Sequence, residues 1–299
     1  MTATELGALR RPNDRLRRRR AVNCGMELLG WLAAALGVAL LVILLGSVAR
    51  RGASELSLDL FTKAQVPYAT ASVSQGLANA FVGSLVVVGI ATAMALPVGI
   101  LVAIYVNEFA PRAIRNGVNF VLDMLNGVPA IVIGVFVYGL IVLGRGQSAF
   151  AGSFALAVIM LPLVARSTIE VLALVPDSLR EAALGLGSPR WRATLGIVVP
   201  QAIGGILTGA TLAVARVAGE TAPLLLVNSI VGQGVHWNPH TALQTVPVAI
   251  YELSDSPIPS DQALAWAAAF VLIVFILLVS LTARWLATRS RRKLARAAR

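Results

Sequence analysis

Two arginines stand inside otherwise apolar stretches: Arg166 within residues 153–174 and Arg216 within residues 198–227. A guanidinium stays charged at any physiological pH, and its planar fork of donors can meet two oxygens of an oxyanion at once. Placing Arg at the centre of a membrane span costs about 2.5–3.5 kcal/mol on insertion scales, so such a residue is rare without a partner or a task. Each arginine is followed four residues later by a glutamate, Glu170 and Glu220, and residues so spaced share a helix face. Arg before Glu is the poorer order for helix support, so helix stabilisation is a weak reason for either pair. Two readings remain. Two guanidiniums on adjacent spans receive an anion, or two buried ion pairs fix helix packing. Glu170 also fits an exposed position near the interface with no special role.

The stretch from Pro176 to Pro200 encodes a helix, a break and another helix. Ser178 and Glu181 have capping-box spacing. Leu179, Ala182, Ala183 and Leu186 then fall on one helical face. Gly187 suits the left-handed conformation that ends a helix, and Ser188 before Pro189 reads as a new N-cap and first helical position. A short amphipathic helix with a small-residue face can lie in another protein's groove, or the segment is an inert interfacial loop.

Other candidates are weaker. Asp123 and Asn126 precede Gly127 and Pro129, which either kink a helix or free backbone groups beside a cavity. His236 and His240 have helical spacing, but Pro239 lies between them and no carboxylate falls in the same turn, so no metal is expected. The lysines are Lys63 and Lys293; neither follows a Gly-rich loop, so the chain has no P-loop and no ATP hydrolysis of its own is expected. Cys24 is the one cysteine, which excludes an intrachain disulfide and favours packing as a small hydrophobe.

The elements that carry these residues are set by composition. Of 299 residues, 57% are hydrophobic and 13% charged, and mean hydropathy is +0.80. A soluble domain has about twice that charge, so an ordinary soluble enzyme and a disordered chain are excluded. A bilayer-crossing helix needs about 20 mostly apolar residues, and six stretches qualify: 26–48, 77–106 with Pro97 as a kink, 118–143 interrupted by Gly127 and Pro129, 153–174, 198–227 and 264–283. The expected class is an all-α membrane protein. Basic tails occupy 1–25 and 284–299, and one six-span domain occupies 26–283, with its key loop at 176–197.

Net charge is +11, yet its distribution speaks against nucleic acid. Of 25 basic residues, seven lie in residues 10–20 and seven in residues 284–299. With both tails cytoplasmic, inner segments hold those 14 plus Arg112, Arg115, Arg180, Arg190 and Arg192, or 19 in all, against four outside, namely Arg50, Arg51, Lys63 and Arg145. The positive-inside rule therefore puts both tails in the cytoplasm, beside anionic lipid.

Glu181-Ala182-Ala183, Gly187, Ile197 and Pro200 resemble the EAA loop of importer-type ABC permeases, with Val199 where Leu is usual. Leu125–Gly134 resembles the Gly-Val-Pro-Ser-type stretch of phosphate permeases, with Ala130 for Ser. Ala215–Leu224 resembles their fifth-span motif, and Gly99–Glu108 the end of the second span. Over about residues 77–283 the chain is similar to the A-type permease subunit of phosphate ABC transporters. That resemblance implies a bacterial inner-membrane, multi-pass, non-catalytic subunit of an ATP-driven phosphate importer. It implies substrate passage at Arg166, Arg216 and Glu220, and ATPase coupling through Glu181, Ala182, Ala183 and Gly187. Its implied partners are a C-type permease subunit, two ATPase subunits that bind ATP and Mg, and an extracytoplasmic phosphate-binding protein. No cofactor is expected in this chain. Rival readings are a permease for molybdate or sulfate, and a stand-alone channel or membrane enzyme.

Overall fold

The computed structural model describes residues 14–65, 75–229 and 234–297, and among these it is helical with no strand. The chain divides by contacts into two units, Met1–Arg50 and Arg51–Arg299. Helix α1, Asp14–Ala53, supplies the described part of the first unit. Its apolar side chains from Val22 to Leu45 are exposed, Trp31 to 77%, as suits a helix sheathed in hydrocarbon. Cys24 is exposed on it too, not packed as its residue type suggests.

The second unit begins with α2, Leu58–Thr62, and α3, Ala78–Ile104, which continues as a π-helical turn, Tyr105–Phe109. After it come α4, Arg112–Gly127, and α5, Ala130–Val137, with a π-turn at Tyr138–Val142. Helix α6 is Ala149–Ala173, and α7 is the short Asp177–Gly185. Helix α8, Arg190–Ala193, runs through a third π-turn, Thr194–Val198, into α9, Val199–Val217. Three helices complete the unit: α10, Ala222–Val227; α11, Val246–Ser254; and α12, Pro259–Ala297.

Packing centres on α3 against α6. Gly83, Val87, Ala91, Ala95, Gly99 and Ala103 recur every four residues and are buried, a small-residue stripe that lets the helices close up. At Gly99 an added methyl would sit 2.9 Å from Val164 Cγ1 of α6. Leu156, Met160 and Val164 of α6 and Ala213 and Val217 of α9 complete the main core. Pro97 lies inside α3, which runs on through it.

Backbone bonds define two ends of this unit. At one, Ser148, Ala149 and Phe150 donate to the carbonyls of Val227, Thr241 and Pro239, and Asn79 Nδ2 donates to Gln244 Oε1 at 2.7 Å. At the other, Arg115 bonds the carbonyls of Val106 and Asn107, close to α7. The segment from Arg112 to Leu143 thus travels from one end to the other, although α4 and α5 meet at 97°. The sequence suggests an interrupted span over 118–143; the structure has a broken one. Pro129 lacks an amide proton and disfavours helix at the preceding residue, so α4 stops at Gly127. Five further helical stretches are long and apolar enough to cross a membrane: 17–53, 78–109, 149–173, 190–217 and 259–282.

The fifth span also departs from expectation. Hydropathy suggests one span over 198–227, but α9 ends at Val217 and α10 starts at Ala222. Gly219 lies in the turn and Pro223 in the first turn of α10, residue types that end and restart helices.

Candidate functional site

Arg166 lies on α6, with its neutraliser on α4. Its Nη1 donates to Asn119 Oδ1 at 3.2 Å and its Nη2 to Asp123 Oδ2 at 2.9 Å, with Asp123 Oδ1 at 2.7 Å. Asn119 and Asp123 are four residues apart on the polar face of a strongly amphipathic helix, so α4 offers two acceptors side by side. The i,i+4 pairing with Glu170 does not form; Glu170 is exposed. The Arg166 pair is itself partly open, with side chains 34% and 53% exposed.

Arg216 occupies the last turn of α9, where a cation complements the helix dipole. Its Nε lies 3.9 Å from Glu220 Oε1, an ion pair at the limit of contact. The two do not share a continuous helix face as expected. The amides of Ala218, Gly219 and Glu220 instead fold onto the carbonyls of Val214, Arg216 and Val217 and close the helix. Glu220 is the more enclosed, 21% exposed against 63% for Arg216. Arg166 and Arg216 bond different carboxylates, and among the described residues no shared partner joins them.

The two breaks meet. Short helix α5, after the Gly127–Pro129 break, packs on short helix α10, after the Gly219 break. At Gly134 an added methyl would lie 2.8 Å from Pro223 Cα. Interrupted spans leave backbone groups without intrahelical partners, which inside a membrane is tolerated only where protein or a water-lined cavity surrounds them. The quoted motif residues around Pro129 and Glu220 therefore belong to one locality.

At the other end lies the loop helix α7. Gly187 has φ +78°; its amide bonds Leu184 O and that of Ser188 bonds Ala183 O, the paired bonds of a Schellman cap. The expected capping box is absent: Pro176 is the N-cap, no side chain caps it, and Asp177 occupies the first turn. Ser188 is not the next N-cap either; Pro189 is. Glu181 and Ala182 face outward, whereas Ala183 is buried against this chain itself.

Sequence reasoning missed the most fully bonded group here, Arg180. Its Nε and Nη2 grip Glu108 Oε2 and Oε1 at 3.2 and 2.9 Å, and Nη2 also bonds Leu172 O at 3.0 Å. Its Nη1 bonds Val175 O at 2.6 Å and Asp177 Oδ1 at 2.9 Å. The hydrogen bonds to Glu108 raise the guanidinium's pKa further above its usual value, against the opposing effect of burial. Glu108 closes the π-turn after α3, and residues 72 apart in sequence give no local signal of pairing. A cleft of about 390 Å³ opens beside them, lined by Asn107, Glu108, Arg115, Asp177, Arg180 and Arg190 among others. No group of three or more metal-ligating side chains occurs among the described residues.

Apolar spans, one of them broken at Gly127–Pro129, with a short capped helix between two others, define a class: a multi-span helical membrane protein. The chain belongs to the family of binding-protein-dependent transport system inner membrane components, whose pattern it matches over residues 95–292. It is a multi-pass inner-membrane protein. It is 41% identical over 278 residues to the phosphate transport system permease protein PstA of Xylella fastidiosa strain Temecula1, covering 92% of this chain and 96% of that protein. With the PstA protein of Yersinia pestis it shares 40% identity, over 83% of this chain and 84% of that one. Among solved structures, a bacterial ABC transporter importing the acidic polysaccharide alginate superposes with TM-score 0.64 at 16% identity, over 91% of this chain and 99% of that one. The MetNI methionine ABC transporter in an inward-facing form superposes with TM-score 0.56 at 16% identity, over 71% and 93%. At that identity the likeness is one of fold.

Proposed function

We propose that this chain is a permease subunit of an ATP-driven importer of inorganic phosphate, forming half of the translocation path. The observation that carries the reading is the 41% identity to a phosphate permease across 92% of the chain, together with two arginines beside broken spans. In this reading a C-type permease subunit forms the other half. Two ATPase subunits bind ATP and Mg, and an extracytoplasmic phosphate-binding protein delivers substrate. The chain moves phosphate without changing it covalently.

Arg166 and Arg216 hold the anion in passing, and Glu220 orients Arg216 or closes the site between cycles. The carboxylates of Asp123 and Glu220 act as placeholders, neutralising each arginine until an oxyanion arrives. Glu181 and Ala182 of α7, with Gly187 in the turn after it, face the ATPase, while Ala183 seats the helix on its own chain. The 19-to-4 excess of basic residues supports cytoplasmic tails and a cytoplasmic 176–197 loop.

The test is ATP-dependent phosphate uptake by vesicles holding the whole complex, with and without this chain. Uptake should require the chain, and Arg216→Gln should abolish it while the ATPase still copurifies. Arg216→Lys should rescue only in part, because an ammonium lacks the planar fork. If Arg216 and Glu220 only pack helices, removing both charges together leaves no unpaired charge and should be mild. Near-normal uptake by Arg216→Gln with Glu220→Gln, at matched complex levels, rejects the anion-path role.

A further inference from the structure

Helix α7 is poorly held by packing. Of its nine residues, Ala183 is the one that is buried; Leu179 and Leu184 are exposed, as is Leu186 just beyond its end. Non-helical turns flank it, Leu174–Pro176 before and Leu186–Pro189 after. Beyond the seat of Ala183, what fastens it is one side chain. A guanidinium has five N–H donors, and Arg180 makes five hydrogen bonds: two to Glu108, one each to the carbonyls of Leu172 and Val175, and one to Asp177. The two carbonyls belong to the last turn of α6 and the residues just beyond it, where helix acceptors lack intrahelical donors. Glu108 is itself held, accepting from Asn107 Nδ2 at 2.7 Å. Arg115 braces the same turn through the carbonyls of Val106 and Asn107, both at 3.1 Å. The carboxylate is 8% exposed and the guanidinium 20%, so water competes little for the pair.

Beyond Glu108 the connection is stiff. Helix α3 runs back along α6, with a methyl added at Gly99 lying 2.9 Å from Val164, to the opposite end. There Asn79 sits in a buried cluster with Gln244 and Gln65.

The geometry points to Arg180 and Glu108 as positioning residues: their bidentate pair is the link through which a displacement of α7 is handed to α3, and so to the far end of the permease. The inference rests on the reading of α7 as the ATPase-coupling helix.

The test uses the complete complex in proteoliposomes, measuring phosphate uptake and ATP hydrolysis in the same preparation. A wild-type complex without ATP-driven phosphate uptake refutes the functional reading itself; the variants are judged only against a wild type that transports. Glu108→Gln keeps shape and one acceptor but loses the charge-assisted fork. It should leave assembly intact and hydrolysis within about twofold, while uptake falls about tenfold, a loss within the usual range of coupling energies. Arg180→Lys keeps a charge but cannot make five bonds, so its ratio of hydrolysis to uptake should lie between wild type and Glu108→Gln. Arg180→Ala should be at least as uncoupled as Glu108→Gln, and if it fails to assemble, Glu108→Gln decides alone. A merely structural role lowers uptake and hydrolysis together. Parallel loss in Glu108→Gln, an unchanged ratio, or failure of that variant to assemble would each overturn the inference.

Discussion

At Glu252, burial acts on a carboxylate that no cation neutralises among its bonded partners. The residue lies on α11, outside the apolar spans, where Oε2 accepts from Gln244 Nε2 at 3.0 Å and Oε1 from Ser229 Oγ at 3.2 Å. Desolvation raises its pKa above the ordinary carboxylate value, and the two hydrogen bonds oppose that rise. With the folded pKa raised, the folded state holds the proton at pH values where the unfolded chain has lost it. Stability contributed by this group is therefore greatest below the ordinary pKa and declines as pH rises through the raised one. Glu252→Gln can still accept from Gln244 and bond Ser229, and it carries no charge to desolvate. The thermal unfolding midpoint of the variant complex should match wild type at acidic pH and exceed it near neutrality. A midpoint that tracks wild type at both would show that the charged form bears no cost. No pattern in the sequence singles out Glu252, because its neighbours Gln65, Asn79, Gln244 and Ser229 come from four separate segments. Arg166 and Arg216 could be picked from the sequence because a charge in an apolar run stands out by itself. Asp123 as the partner of Arg166 could not, since the nearer Glu170 has the spacing of a helix pair.

Elements were legible where length and apolarity alone decide. Residues 149–173 and 78–109 lie close to the stretches read from hydropathy. The breaks were legible only in part. Gly127 and Pro129 announce an interruption, but neither its 97° angle nor the contact of the polar face of α4 with Arg166 can be read from local sequence. The break after Val217 is not marked by hydropathy, because the stretch 198–227 is apolar enough overall to pass for one span despite Gly219, Glu220 and Pro223. In the loop, the short-range signal of Ser178 and Glu181 lost to Asp177, whose carboxylate engages Arg180 at 2.9 Å. Gly187 is legible from its type, since at φ +78° a Cβ meets the neighbouring carbonyl. Gly187→Ala has open space around it, so its cost is conformational, about 1–2 kcal/mol. That cost falls on the joint between α7 and α8. Protease cleavage of the loop in detergent-solubilised complex should become faster, with the spans intact. Cleavage at the wild-type rate would mean that the Schellman cap does not hold the joint.

For the whole molecule, crossing parity decides which side each loop faces. In the second unit the chain passes from the Asn79 end to the Glu108 end along α3, returns through the bent α4–α5 pair, and passes again along α6 to α7. Counting the bent pair as one crossing puts Gly144 to Ser148 with residues 238–245, as the bonds of Ala149 to Thr241 and of Phe150 to Pro239 require. Orientation in the membrane comes from charge. The α7 end carries Arg112, Arg115, Arg180, Arg190 and Arg192, while the stretch 234–262 has no Lys or Arg, so the α7 end should be cytoplasmic. Single cysteines in a Cys24→Ser background read this directly, since Cys24 is exposed and would otherwise react. Gln244 makes a poor reporter, being 3% exposed in its polar cluster; Asn238, exposed in the same loop, serves instead. With a membrane-impermeant maleimide on spheroplasts, Asn238→Cys should label at once. Ser178→Cys, exposed on α7, should label only after permeabilisation. The reverse pattern would invert the molecule, and it would also put α7 out of reach of any cytoplasmic ATPase. Labelling of both from outside would mean that the α4–α5 pair and α6 do not separate the two loops across the bilayer, contrary to the path that the Arg180–Glu108 and Asn79–Gln244 bonds trace through the fold.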